Sequence, residues 1–357
     1  MAKNLSLISQ RIKMKGKKEV TIYDIAKKLN LATSTISRGL KEHPTISKKT
    51  VERIKKTAAE MGYRPNNLAA SLRGNKMKTI GVLLPTITQP FLSSLISGIE
   101  EVAQKAGYTV LIMQSHDSYE EEVELTKSLY DNRVSGVICS LAMETKNTDH
   151  FKKFIENDTA LVFVDRVPKG FDTYHVVIDN FNAGYKATKH LISQGCKRIA
   201  HITAGQEFSI YYERKQGYLA ALKEHNLPIE DELMVRVDKI TYKEARKATL
   251  KLLKLQKPPD GIFAPGDILG VSAIQVAEQQ GVKVPEELAI IGFNNDPISS
   301  IVDPNLSTVS HPAFKMGQTS AEIIFKRLKN RKHKSDIVKQ IAFLNTEVLV
   351  RESSKKS

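Results

Sequence analysis

The chain reads as two architectures joined end to end: a small all-α head of the helix-turn-helix kind and a larger α/β body built on parallel sheets. Three observations predict this. Apolar residues recur at helical spacing from Thr21 to Gly62, in three short blocks. From Thr79 onward, short continuous apolar runs alternate with amphipathic helical stretches, the pattern of parallel strands covered on both faces. Charge is also divided: residues 1–76 carry 18 Lys and Arg against 5 Asp and Glu, a net of +13, while the rest of the chain carries 36 against 34. A basic head on a nearly neutral body is the footprint of a protein that docks one end on a polyanion.

In the head, Ile22, Ile25, Ala26 and Leu29 form the apolar face of a first helix. Asn30 ends it as a left-handed cap, and Leu31 plugs the turn. A second helix runs from Thr33 to Leu40, with Ile36 and Leu40 inward and Thr33, Ser34, Thr35 and Arg38 outward. Ser47 opens a third helix, where its hydroxyl can cap free amides. Val51, Ile54, Ala58 and Met61 give that helix its core face, and Gly62 ends it. Two helices joined by a tight turn, the second short and polar, is the plan that places the second helix in the major groove of DNA. Residues 19–64 are therefore read as the DNA-binding domain and 65–76 as a hinge and linker. Asn66 to Leu72 favours helix, yet so short a helix is marginal alone in water. It is expected to fold only when DNA and a second copy hold it.

Composition narrows the class. The two cysteines, Cys139 and Cys196, have neither C-x-x-C nor metal-ligand spacing, so no disulfide scaffold or structural zinc is expected. No apolar run approaches the roughly 18 residues of a membrane helix. The opening MAKNLSLISQRIKMKGKK has too short an apolar core for a signal peptide, and its charges follow that core. Residues 1–18 read as a mobile basic arm and the protein as cytoplasmic. There is no G-x-S-x-G elbow, Walker loop, G-x-G-x-x-G or H-E-x-x-H, so neither an enzyme nor a cofactor is expected. His116, His190 and His311 read as polar residues of helices or loops, and the pairs Glu121-Glu122 and Glu286-Glu287 as solvated faces.

Strand-like runs in the body are TIGVLL (79–84), TVLIM (109–113), GVICS (136–140), ALVFV (160–164), VVI (176–178), RIAHIT (198–203), GIFA (261–264) and AIIGF (289–293). Helix candidates between them include Phe91–Gly107, Tyr119–Asn132, Asn180–Gln194, Tyr212–Asn226, Thr241–Leu255 and Asp267–Gln280. Ligands of such sheets bind beyond the carboxyl ends of the strands.

The ordered motifs T-I-x-D-I-A, T-x-S-R-x-L, I-S-x-x-T-x-x-x-I and M-G-Y-x-P-N-x-x-A-x-x-L closely resemble the lactose-repressor/galactose-repressor family of bacterial transcription regulators. The resemblance runs to about residue 350. It implies that Thr33, Ser34, Thr35 and Arg38 face base edges, with Arg38 the candidate for a guanine contact through its fork of donors. Thr21, Tyr23, Ser47, Thr50 and Tyr63 would hold phosphates. Asn66, Ala69 and Leu72 complete the DNA-binding set in the hinge, with Leu72 the wedge that enters the minor groove. One departure is Ala32, where the family usually has a serine, so the cap of the second helix falls to Thr33.

For the body, the resemblance implies a periplasmic-binding-protein-like core of two Rossmann-like subdomains, 77–177 with 308–332 and 178–307 with 333–350. The chain would cross between them near Val177–Asp179, Leu306–His311 and Arg331–Val338, the last crossing returning a strand at Ile341–Leu349 to the second subdomain. A polar tail, 351–357, would follow. Phe91, Asp165, Arg214, Asp267 and Asn294 would contact a small-molecule effector: Phe91 as a stacking face, Asp165 at a strand end in VFVDR, and Arg214 as a fork for two hydroxyls. Gly266 and Asn294 stand where sugar-binding members usually have Asn and Asp. A carbohydrate is the first expectation and a nucleoside or purine the second. The implied protein is a homodimeric repressor, paired through Phe91–Gly107 and Tyr119–Asn132, that binds a pseudo-palindromic operator. The alternative is a sugar-binding protein for transport or sensing without operator binding, which a gel shift separates.

Overall fold

The computed structural model describes residues 20–63, 78–204, 210–330 and 340–356. The chain forms two compact units, Met1–Asn75 and Lys76–Ser357. The first holds helices α1 (Ile22–Leu29), α2 (Thr33–Leu40) and α3 (Lys48–Glu60). Ile25, Leu29, Ile36, Ile54 and Ala58 close its small core, with Leu31, Leu40, Met61 and Tyr63 packed against them. Local chemistry sets the helix ends. The Asp24 carboxylate accepts from both the amide (2.8 Å) and the hydroxyl (2.7 Å) of Thr21, which starts α1. Asn30 stops it in the left-handed conformation, φ 51. Ser47 caps α3 by accepting from the Thr50 amide at 3.3 Å. Helix α2 departs from expectation: Ala32 occupies its cap position, Thr33 is already its first residue, and no side chain caps it.

The second unit contains strands β1 (Thr79–Leu84), β2 (Thr109–Gln114), β3 (Gly136–Cys139), β4 (Ala160–Val164), β5 (Tyr174–Ile178), β6 (Ile199–Ala204), β7 (Met234–Val237), β8 (Gly261–Phe263), β9 (Ala289–Asn294), β10 (Ser307–Ser310), β11 (Gln340–Leu344) and β12 (Val348–Leu349). They make two six-stranded sheets, ordered β11-β5-β4-β3-β1-β2 and β12-β10-β9-β8-β6-β7. All pairings are parallel except the antiparallel β10–β12. Helices α4 (Pro90–Lys105), α5 (Tyr119–Asp131), α6 (Lys152–Glu156), α7 (Asn180–Ser193), α8 (Ile210–Glu224), α9 (Tyr242–Leu253), α10 (Asp267–Gln279) and α11 (Ala313–Lys329) flank them. Strands β3 and β4 are buried along their whole length, as layers covered on both faces require.

Connections between the two sheets keep the first expected crossing and move the other two boundaries. The first crossing falls at Asp179, which also caps α7 by accepting from the Asn182 amide. The second falls at His311 and Pro312, because β10 belongs to the second sheet rather than the first. The third lies at residues 345–347: β11 stays in the first sheet, paired with β5, and only the two-residue β12 returns to the second. The expected polar tail is also built in. Ser353 and Ser354 are fully buried; Ser353 donates to the Ile290 carbonyl and accepts from the Ser307 amide, and Ser354 meets His190 Nε2 at 2.7 Å. Glu122 is buried rather than solvated, accepting from the Ala142 amide and the Thr145 hydroxyl with His150 Nε2 at 3.1 Å.

One helix pair in each half crosses backbone to backbone. In the second half, a Cβ on Gly184 of α7 would lie 2.2 Å from the Arg214 carbonyl oxygen, and one on Gly217 of α8 would lie 2.0 Å from that of Phe181. In the first half, Gly98 of α4 and Gly317 of α11 meet the carbonyls of Phe314 and Leu95 in the same reciprocal way, each at 2.1 Å. Only glycine permits such approach.

A buried histidine gives the body a pH dependence. His201 on β6 is stacked on Phe263 at 4.6 Å and tilted against Tyr218, with Nδ1 3.0 Å from the Phe263 carbonyl. Burial pulls its pKa down to about 4 from an ordinary 6.5. The unfolded chain then binds a proton that the folded chain refuses, so this contribution is intact above the ordinary value and is lost as pH falls from there toward 4. The loss is on the order of 3 kcal/mol at full extent. Asp267, raised to about 7 by burial, acts in the opposite direction. The check is therefore a difference: the acid-side fall in urea midpoint should be shallower in His201→Phe than in the native chain. Identical pH slopes would refute the assignment.

Candidate functional site

On the head, the outward side of α2 presents Ser34 and Arg38 exposed, with Thr33 and Thr35 partly so. Thr21 and Ser47 are exposed, Tyr23 is 69% exposed, and Thr50 and Tyr63 are partly buried. Lys27, Lys28, Lys41, Lys48 and Lys49 are exposed around them. The unit thus offers a fork of donors on a short helix with cationic flanks, the combination that reads base edges while neutralising phosphates. Asn66, Ala69 and Leu72 lie outside the described residues.

In the body, the carboxyl ends of β1, β4 and β9 and the segments after β8 and β10 converge on a cavity of about 330 Å³. Phe91, Asp165, Arg214, Asp267 and Asn294 all line it. Their roles differ. Arg214 is 2% exposed; its Nε donates to Asn180 Oδ1 at 2.9 Å, one terminal nitrogen donates to the Pro265 carbonyl at 3.1 Å, and the guanidinium lies 3.5 Å from the Phe293 ring centre. Burial lowers its pKa to about 10, which leaves it charged at neutral pH. Asp267 has both oxygens occupied by the protein: Oδ1 accepts from the Thr308 hydroxyl and Oδ2 from the Asp296 amide, each at 2.6 Å. It organises the loop after β9, and its carboxylate offers a ligand less than its position in the cavity wall suggests. Asp165, held at φ 62, is a buried carboxyl at the end of β4. Burial raises its pKa, with Arg166 and Arg214 pulling the other way. Asn294, at φ 108, places its side-chain Oδ1 3.3 Å from His311 Nδ1. Phe91 has one face taken by His311, with ring centres 4.1 Å apart.

Among the cavity residues that the sequence reading did not assign to the site are Arg166, Tyr211 and His311. Arg166 lines the wall, and its guanidinium donates to Asp117 at 2.5 Å. Its signal was its place beside Asp165 at a strand end. Tyr211, one turn before Arg214 on α8, lies 5.5 Å from the Arg214 guanidinium. His311 was read as an ordinary loop residue because Ser307–Ser310 was taken for a crossing rather than a strand; it forms part of the wall and is 5% exposed.

Comparisons with known proteins agree with this layout. Residues 21–66 match the model of bacterial regulatory proteins of the lacI family, and residues 188–354 that of a periplasmic binding protein-like domain. The HTH-type transcriptional repressor CytR of Escherichia coli (strain K12) is 31% identical over 321 residues, covering 89% of this chain and 93% of that protein. The chain belongs to the lacI family of bacterial regulatory proteins. The regulator also resembles a solved complex of the transcriptional regulator CelR with cellobiose, at 25% identity and a TM-score of 0.69 over 94% of this chain and all of that one. The lac repressor dimer bound to operator and the anti-inducer ONPF shares the fold, with a TM-score of 0.82 at 21% identity over 94% of this chain and 99% of that one. This family member is a DNA-binding transcriptional regulator with a helix-turn-helix head and an α/β ligand-binding body. No helix among its described residues is long and apolar enough to cross a membrane.

Proposed function

We propose that the regulator is a cytoplasmic homodimeric repressor whose two heads occupy a pseudo-palindromic operator and whose cleft takes an uncharged, polyhydroxylated effector of the carbohydrate class. The observation that carries the effector reading is the balance of charge in the cavity wall. Arg166 and Arg214 stand against Asp165, Asp267 and Asp296, so there is no cationic excess to hold a phosphate. What the wall does offer is apolar surface from Pro85, Ile240 and Ile268 with a few convergent polar groups, the combination that suits a sugar's apolar face and hydroxyl rim. The cellobiose complex of CelR, and a D-xylulofuranose complex of a relative from Alkaliphilus metalliredigens at 26% identity, support the same class. Neither phosphate grip nor a catalytic constellation enters this reading. A thermal-shift comparison of free sugars, their phosphates and nucleosides tests it, since a true ligand stabilises the folded chain in proportion to its concentration. Stabilisation by a sugar phosphate but not by the free sugar would overturn it.

The dimer would pair through α4, α5 and their surroundings, and the effector would alter closure of the two halves and thereby hinge spacing. A coupling of about 1–3 kcal/mol is enough for regulation. For the head, Arg38→Ala is expected to lower preference for the operator by about 1–3 kcal/mol while leaving most binding to random duplex. Gel shifts with operator and competitor at one stated salt concentration measure both. Uniform weakening on all DNA would remove Arg38 from the base-reading set.

A further inference from the structure

Helices α4 and α11 lie side by side against the first sheet and touch backbone to backbone at Gly98 and Gly317. Beyond that crossing their carboxyl-terminal turns part, and a groove of about 590 Å³ opens between them, away from the ligand cleft. Its floor is apolar. Val102 of α4, Tyr108 at the entry to β2, and Phe325 and Leu328 of α11 form it. The Tyr108 and Phe325 rings tilt against each other with centres 4.9 Å apart. Val102, Tyr108 and Leu328 pack on the core yet are only partly buried, and Ala106 beside them is exposed. From Glu322 to Lys329 the groove follows about 10 Å of α11, two helical turns.

The rim is cationic. Lys105, Lys326 and Lys329 line the groove against a single acid, Glu322. Lys105 is paired with Glu101 one turn back. Lys326 and Lys329 are exposed and make no ion pair among the described residues. Across residues 77–357, 36 cationic side chains are balanced by 34 acids, so the excess at the groove is local. The rim also restricts what can cover the floor. The stretch that follows Asn330, RKHKSDIVK, is itself basic, and a second copy seated groove to groove would set lysine on lysine. A DNA duplex would meet the lysines but leave the apolar floor uncovered.

We propose that this groove docks a protein partner through an amphipathic helix of about two to three turns, apolar on one face and flanked by Asp or Glu. The apolar face covers Tyr108, Phe325 and Leu328, and the acids meet Lys326 and Lys329. Apolar contact supplies most of the affinity, and the rim charges select which helix is accepted. Docking here is compatible with a dimer paired through α4. The groove takes the side of α4 that carries Val102 and Lys105, whereas Ser93, Ser97, Glu100 and Gln104 stand exposed on the opposite side at helical spacing.

The test selects displayed helical peptides of about 16 residues on the full-length protein, each with a fixed apolar stripe and Glu, Lys, Ser or Ala elsewhere. Peptides that also bind Ala106→Trp, whose ring fills the groove, are discarded. The survivors should be net acidic. Their affinity should fall by about 10-fold on the double variant Lys326→Glu, Lys329→Glu, and should recover when their own acids are changed to Lys. All three substituted positions are exposed, so the variants should unfold at the native midpoint. Should Ala106→Trp fail to fold, the lysine pair and the charge-swapped peptides decide alone. Neutral or basic survivors, no survivors, or affinity unchanged by the double reversal would overturn the proposal. If the double variant instead loses binding to random duplex at one stated salt concentration and keeps its peptides, the lysines serve phosphates and the proposal falls.

Discussion

Arg214→Ala is expected to abolish the response to ligand and, in the same protein, to lower stability by about 2–4 kcal/mol. The two losses share one cause. The guanidinium is buried and bonded to Asn180 Oδ1 and the Pro265 carbonyl, so it joins α7, α8 and the loop after β8. Truncation leaves both acceptors without donors in a low-dielectric site and opens a void beside Phe293. Arg214→Lys should be milder, since it keeps the charge and one donor, but an ammonium cannot reproduce the planar fork. Denaturant unfolding of the full chain, with gel shifts at low temperature where both proteins are folded, separates the effects. A variant with native stability would show that the buried bonds contribute nothing net. A variant that still released DNA on adding ligand would remove Arg214 from the effector site.

Gly217→Ala should be more damaging than its single added methyl suggests. That carbon would lie 2.0 Å from the Phe181 carbonyl oxygen and 2.6 Å from the Tyr185 amide nitrogen, both backbone atoms of α7. Neither can swing aside as a side chain would, so the helices must separate. Overpacking of this kind costs about 1–3 kcal/mol where side chains yield, and more where they cannot. A loss of at least about 3 kcal/mol is expected, opposite in sign to the usual gain from replacing glycine in a helix. The same separation shifts Arg214, whose carbonyl lies against Gly184 in that crossing, so ligand affinity should fall with stability. An unfolding midpoint at or above the native value would show that the crossing has slack.

These cases indicate which features were legible beforehand. Head helices followed from period and punctuation: Asn30 and Ser47 act through their own backbone, so their roles are local and readable. The central strands were legible because burial on both faces leaves uninterrupted apolar runs such as ALVFV. Strand β10 was not, since STVS is polar and owes its place to pairing with β9 and β12. That miss displaced the second crossing and hid His311. Strand β11 was assigned to the wrong half for a related reason. An edge strand with Phe343 64% exposed has little apolar pattern to declare its neighbour. Asp267 was recognised as a cavity residue, but only coordinates show that Thr308 and Asp296 already occupy its oxygens. The glycine crossings are long-range complementarities with no local signature at all.

The three connections between the sheets have a mechanical consequence. Two of them are tied to each other, since Ser310 and Glu347 exchange hydrogen bonds on adjacent segments. The helices that follow the first and second crossings, α7 and α11, enter a glycine-lined backbone crossing within two turns of arrival. Each half is thus clamped stiff right up to the links, leaving only a few residues compliant. Short parallel straps between stiff plates behave as a flexure: they bend readily about one axis and resist shear and twist. Closure of the cleft as proposed above would then be a swing of defined direction, not a diffuse loosening.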